Sequence, residues 1–263
     1  MTDAALAAAL SGQRVLLAYG LLGDVMARLA PLGLDYMGRQ LAWLRRDLGA
    51  AAEVVRLPTA APVAENGARL AGVIAGDPRP AVVIGHSKGG VEALAALLDP
   101  QAAARCAAFL ALQSPFFGSP VADAVCAARP LHMAAGGTLR ALRIGTGAAI
   151  LDLTTAVRTA WMTAHAAEVA ALVARLPVLT AATFLDDAAT GPDRRHLPLV
   201  RWVAQRAGPN DGLVPVASAL VPGAMQVVLP GVHRTLVAAA PHRDPVGQLR
   251  MLLGRVLCLE ASG

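Results

Sequence analysis

Arg79-Pro80-Ala81-Val82-Val83-Ile84-Gly85-His86-Ser87-Lys88-Gly89-Gly90-Val91-Glu92-Ala93-Leu94 is the stretch on which the fold turns. Its apolar run, rich in β-branched residues, reads as a buried strand. It passes straight into Gly-His-Ser-Lys-Gly, and an alanine- and leucine-rich segment with helical spacing follows at once. A strand, a turn with glycine on both sides of a serine, and a helix together present a serine as a nucleophile. So tight a turn leaves no room for a Cβ at Gly85 or Gly89 and holds Ser87 in a strained backbone conformation. The N–H groups that open the helix point toward negative charge developing at the serine. In a chain this rich in glycine, chance alone yields a G-x-S-x-G in roughly 5% of cases. The flanking strand and helix therefore carry the reading.

A chain of 263 residues can bury the core of a large α/β domain. Hydrophobic residues make up 56% and aromatic ones only 3%, so that core must be built from small aliphatic side chains. The net charge of +5 comes mainly from scattered arginines. The pairs Arg45-Arg46 and Arg194-Arg195 form no basic stripe, which argues against a nucleic-acid partner. Cys106, Cys126 and Cys258 follow no metal-ligand spacing and sit in apolar surroundings, as buried free thiols do. Asp3 stands where a secretory leader needs basic residues, and the long uncharged run 212–232 is broken by Pro215, Pro222 and Pro230. These features predict a cytoplasmic chain with no integral membrane segment, no metal and no cofactor. Transient contact with a lipid interface stays open, and nothing in the sequence sets an oligomeric state.

Outward from the serine, strands are expected at 14–19, 53–57, 106–113, 177–184 and 225–229. Helices are expected at 35–48, 64–75, 88–98, around 200–206 and over 245–257. The alternation predicts an α/β fold with a mostly parallel sheet covered by helices on both faces. Between residues 121 and 176 the rhythm breaks into helical pattern alone. That places a lid or cap insertion at 121–176, with the core domain formed by 1–120 and 177–263.

A serine hydroxyl needs a base to take its proton and a carboxylate to orient that base. In this architecture the order along the chain is serine, acid, histidine. Asp211, in Gly208-Pro209-Asn210-Asp211-Gly212-Leu213-Val214, is the first candidate acid, with Asp186, Asp187 and Asp193 as competitors. Only His233 and His242 follow the last strand, and His233 comes immediately after it. His86 is expected to point away from the serine's partner, and the Lys88 side chain is expected at the surface. Two N–H groups must hold the oxyanion. Lys88 supplies one, and Leu21, with Leu22 next, supplies the other from the loop after the first strand.

With these pieces placed, the chain resembles the α/β-hydrolase superfamily, particularly bacterial triacylglycerol lipases and carboxylesterases. The resemblance runs from residue 14 to the final helix. It rests on Tyr19-Gly20-Leu21-Leu22-Gly23, Gly85-His86-Ser87-Lys88-Gly89-Gly90, Ser114-Pro115-Phe116-Phe117-Gly118-Ser119-Pro120 with Asp123, and Asn210-Asp211-Gly212-Leu213-Val214. It implies Asp211 and His233 as the catalytic partners of Ser87. Two departures stand out. Tyr19 replaces the family's usual histidine before the oxyanion residue, and the calcium and disulfide of secreted relatives are not expected.

Leu22, Phe116 and Phe117 are the expected substrate-binding residues, beneath the helical excursion. The expected activity is hydrolysis of aliphatic carboxylic esters, polyesters included, through an acyl-enzyme on Ser87. A thioesterase or acyltransferase with the same triad is the alternative, and a non-catalytic lipid-binding member is a third.

Overall fold

The computed structural model describes residues 2–19, 37–134 and 148–257. Six strands form one sheet: β1 (Arg14–Ala18), β2 (Ala51–Val55), β3 (Ala81–His86), β4 (Cys106–Leu112), β5 (Val178–Phe184) and β6 (Met225–Pro230). Their order is β2-β1-β3-β4-β5-β6 and every pairing is parallel. The strand expected at 53–57 begins two residues earlier, because its register with β1 runs from Arg14–Ala51 to Ala18–Val55. Pairing, rather than the weak strand propensity of Ala51 and Ala52, sets its ends.

The central strands are largely apolar because both their faces are covered. Val15, Leu17, Val82, Ile84, Leu110 and Leu112 point to one face. There they meet α1 (Asp3–Leu10), α2 (Gly38–Arg46) and the last helix, Pro245–Val256. The alternate residues Leu16, Ala18, Val83, Phe109 and Ala111 point to the other. On that side lie α3 (Val63–Ala75), α4 (Lys88–Leu97) and α5 (Pro100–Ala104). Small residues let α3 and α4 approach closely: a Cβ at Gly67 would stand 3.1 Å from the Ala95 Cβ. A core poor in aromatics is thereby packed by bringing backbones together.

Between β4 and β5 the described residues form α6 (Pro120–Ala134), α7 (Ala148–Leu151), α8 (Thr155–Ala164) and α9 (Ala166–Arg175). Met162 of α8 and Val169 and Leu172 of α9 join the same buried cluster as Leu70, Val83 and Phe109. The second half of this excursion thus joins the core on that face of the sheet. Polar contacts tie α6 and the segment after α7 in place. Asp123 accepts from Thr155 N (2.8 Å) and Oγ1 (2.6 Å), and Asp152 accepts from Val63 N (2.6 Å). A 3-10 turn at Gly191–His196, α10 (Leu197–Ala207) and α11 (Val216–Ala219) precede β6, and α12 (Pro245–Val256) closes the fold. No described helix is long and apolar enough to cross a membrane. Cys106 and Cys126 are only partly buried, less enclosed than expected, and Cys258 lies outside the described residues.

Candidate active site

The sheet order reverses direction between β1 and β3, and Ser87 sits at the carboxyl end of β3, beside that crevice. Its φ of 55° and ψ of −126° lie in a region that a side chain enters only under strain. The glycines permit it. A Cβ at Gly85 would stand 2.5 Å from Gly90 Cα, and one at Gly89 would stand 2.4 Å from the carbonyl oxygen of Ala18. Lys88 opens α4, so its backbone N–H belongs to the first turn, where no intrahelical acceptor exists.

His233 reaches this tip from the loop after β6. Its Nε2 lies 3.0 Å from Ser87 Oγ and its Nδ1 lies 2.8 Å from Asp211 Oδ2. A carboxylate only accepts, so Nδ1 carries the proton and Nε2 is left to accept from the serine hydroxyl. Asp211 is buried, its side chain 1% exposed. Its other oxygen is held by the N–H groups of Leu213 (2.9 Å) and Val214 (2.8 Å). Asn210 closes the turn, accepting from Gly212 N (2.9 Å) and donating to the carbonyls of Val200 and Gly208, both at 3.0 Å.

The competing residues fall elsewhere. Asp186 accepts from Ala188 N, Asp187 pairs with Arg201 at 2.8 Å, and His242 approaches Asp193 at 3.4 Å. None of these bonds reaches Ser87 or His233. Leu21 and Leu22 lie outside the described residues.

No protein-family model matches the chain, and no curated protein matches it in sequence. Solved structures do. A metagenomic carboxyl esterase superposes with a TM-score of 0.72 over 95% of this chain and 76% of its own, at 24% identity. The mature lipase of Bacillus licheniformis gives 0.64 over 84% of each chain at 21% identity. Lipase 1 of Pelosinus fermentans gives 0.60 over 93% of this chain and 98% of its own, at 12% identity. The fold is that of the α/β-hydrolases.

A cavity of about 480 Å³ opens over the serine of this α/β-hydrolase fold. Val121, Ala122 and Val125 of α6, with Ile150 and Leu153, make an apolar wall. Arg195, His196, Arg234 and Arg243 line it as well. Phe116 and Phe117, expected to bind substrate, are not among the lining residues. Phe116 is fully buried and Phe117 packs against the same core cluster. Phe116 is buried in the core, so the wall on this side is left to Pro115, α6, Ile150 and Leu153.

Three side chains matter here that sequence reasoning did not place. Gln113 follows β4 with φ 51°. Its Nε2 donates to Val232 O (2.9 Å), to Asp211 Oδ2 (3.3 Å) and to Thr183 Oγ1, tying the Asp211 turn to the His233 loop. The one signal was a glutamine ending an apolar strand. His86 was expected to face away, yet its Nε2–H donates to the His233 carbonyl at 3.0 Å, and the ring centroids are 5.0 Å apart. Alternation explains it, since residues 82, 84 and 86 of β3 share a face. Burial, helped by the neighbouring His233, holds the His86 ring well below the usual histidine range, so it is neutral. Lys88 was expected at the surface and is 1% exposed, its ammonium bonded to Glu92 and to Ala61 O (2.9 Å). One helical turn separates residues 88 and 92, which puts the pair on the buried side of α4.

Proposed function

We propose that the protein is a serine-dependent carboxylic ester hydrolase for aliphatic acyl esters, working through an acyl-enzyme on Ser87. The observation that carries this reading is the unbroken relay from Ser87 Oγ through His233 to Asp211, at 3.0 and 2.8 Å, on a strained turn under an apolar cavity. The carboxyl esterase and lipases that share the fold support it.

In this mechanism His233 Nε2 takes the hydroxyl proton as Ser87 Oγ bonds to the ester carbonyl carbon. The carbonyl oxygen becomes an oxyanion, held by the Lys88 backbone N–H and by a second N–H that the sequence assigns to Leu21. Collapse breaks the bond to the alcohol oxygen, and Nε2–H returns the proton to the departing alcohol. Water then repeats the cycle on the acyl-enzyme and releases the acid. Asp211 orients the ring through Nδ1 and stabilises the imidazolium. The apolar wall of α6, Ile150 and Leu153 takes the acyl chain, and α6 serves as its cover.

The test is Ser87→Ala against p-nitrophenyl butyrate, with fluorophosphonate labelling alongside. The expected outcome is a kcat at least about a thousand-fold lower and no labelling, with the fold intact by circular dichroism. Undiminished hydrolysis in this variant sinks the assignment. Asp211→Asn keeps the geometry but favours the wrong tautomer, and kcat should fall by about 10⁴.

A further inference from the structure

The cavity over Ser87 is largely apolar, with Leu199, Leu213, Val214 and Val232 adding to the wall built by α6, Ile150 and Leu153. A basic cluster lines it too, from the 3-10 turn after β5 (Arg195 and His196), the loop after β6 (Arg234) and the residue before the N-cap of α12 (Arg243). Three arginines thus line one hydrolytic cavity.

Their charge is only partly met. Arg243 pairs with Asp193, which also meets His242 at 3.4 Å. Among the described residues, neither Arg195 nor Arg234 has a carboxylate within 4.0 Å; Arg195 Nε reaches only His196 Nε2, at 3.2 Å. Asp211, the carboxylate among the lining residues, is engaged by His233. The Arg243 side chain is 6% exposed, and its Nε is buried without a hydrogen-bond partner. Burial, then Arg195, with Arg243 and Arg234 adding to them, lowers the His196 ring below its usual range. That ring adds no further cation at neutral pH, and Arg195 and Arg234 are the lining cations that no described carboxylate pairs.

From this juxtaposition we infer that the preferred substrate is an ester whose alcohol part carries an anionic group, a phosphate or a carboxylate, seated on Arg195, Arg234 and Arg243. The inference rests on the esterase reading of the same site and deepens it. The alcohol side follows from chemistry. His233 Nε2 must reach the leaving oxygen, and Arg234 is the residue directly after it. The acyl chain is left to the apolar wall. An anion placed there meets bidentate donors at an edge of low dielectric, where charge pairing is strongest.

Matched butyryl esters of glycerol 3-phosphate, of glycerate and of glycerol provide the test, with the wild type and the double variant Arg195→Gln/Arg234→Gln. At an ionic strength of about 20 mM the wild type should favour an anionic ester over the neutral one by about ten-fold in kcat/KM, mostly through KM. Phosphate against glycerate identifies which anion is taken. The preference should shrink several-fold at about 0.5 M salt and in the double variant. A wild-type ratio at or below one, or a ratio unchanged by the substitutions, overturns the inference while leaving the esterase reading standing. So does an arginine effect seen only on vesicles of phosphatidylglycerol and not on soluble esters, which assigns the cluster to a lipid surface. A protein inactive on all three esters overturns the esterase reading instead. Calorimetric titration with glycerol 3-phosphate then decides the charge inference: binding that the double variant loses upholds it, and no binding ends it.

Discussion

Lys88→Met strips the cation from a pair that the fold has sealed, with side chains only 1% and 2% exposed at Lys88 and Glu92. Methionine can follow the path of the lysine methylenes but brings no donor. The Ala61 carbonyl loses its 2.9 Å partner, and the Glu92 carboxylate keeps only Asn66 Nδ2, at 2.6 Å. Removing one member of a buried pair costs about 3–5 kcal/mol, most of it the stranded charge. The remaining amide donor places the expected loss near the lower end, about 3 kcal/mol. Burial already raises the Glu92 carboxyl above its usual range, with Lys88 pulling it back, so the variant carboxyl rises further.

A carboxyl whose folded pKa lies above its unfolded value binds more protons folded than unfolded. Its deficit therefore widens as pH rises through the folded value and narrows toward acid. Urea unfolding, followed by tryptophan fluorescence at about pH 5 and pH 8, should show the larger loss at the higher pH. Lys88→Met/Glu92→Met removes both charges and should recover at least half of it. The reasoning is refuted if the single variant stays within about 0.5 kcal/mol of wild type, or if the double variant is no better than the single. Because the Lys88 backbone N–H is the proposed oxyanion donor, kcat on a p-nitrophenyl ester should fall in the single variant even where it is fully folded.

Gly89→Ala forces a methyl to within 2.4 Å of the Ala18 carbonyl oxygen, whereas the same change at Gly72 meets nothing within 4 Å. Thermal melts should show Gly89→Ala losing more than about 3 kcal/mol and Gly72→Ala, in the middle of α3, gaining about 0.5–1 kcal/mol. Equal effects at the two sites would remove the argument from the packing of Gly89 against Ala18. His86 is neutral when folded, with its value well below 6.5, so only the unfolded chain takes up its proton as pH falls below about 6.5. Stability should be flat above that point and drop by up to about 1.4 kcal/mol per pH unit beneath it, and His86→Gln should flatten that slope in urea titrations. An unchanged slope would mean that another group sets the acid limb.

Much of this protein is local enough to be written along the chain. The run Ala81–Ile84, the turn glycines and the helix from Lys88 each obey short-range sterics, so the strand, the strained serine and the helix behind it were legible together. The expected chain order of serine, acid and histidine rests on positions far apart: Ser87 and His233 each come after a strand, and Asp211 lies in an Asn-Asp-Gly turn. Asp211 and His233 are nonetheless 22 residues apart, and only the docking of the Asn210 turn against the loop after β6 brings them to 2.8 Å while leaving Asp186, Asp187 and His242 elsewhere. Lys88, His86 and Phe116 misled for one reason. Charge and apolarity report the average environment of a residue type, whereas its actual environment is set by which elements close over it. Helix α3 with its leading loop buries the Lys88 ammonium, the loop after β6 gives His86 its acceptor, and the core takes in Phe116. The convergence of Arg195, Arg234 and Arg243 is likewise tertiary, because three segments separated along the chain meet only where the sheet's carboxyl edge gathers their loops.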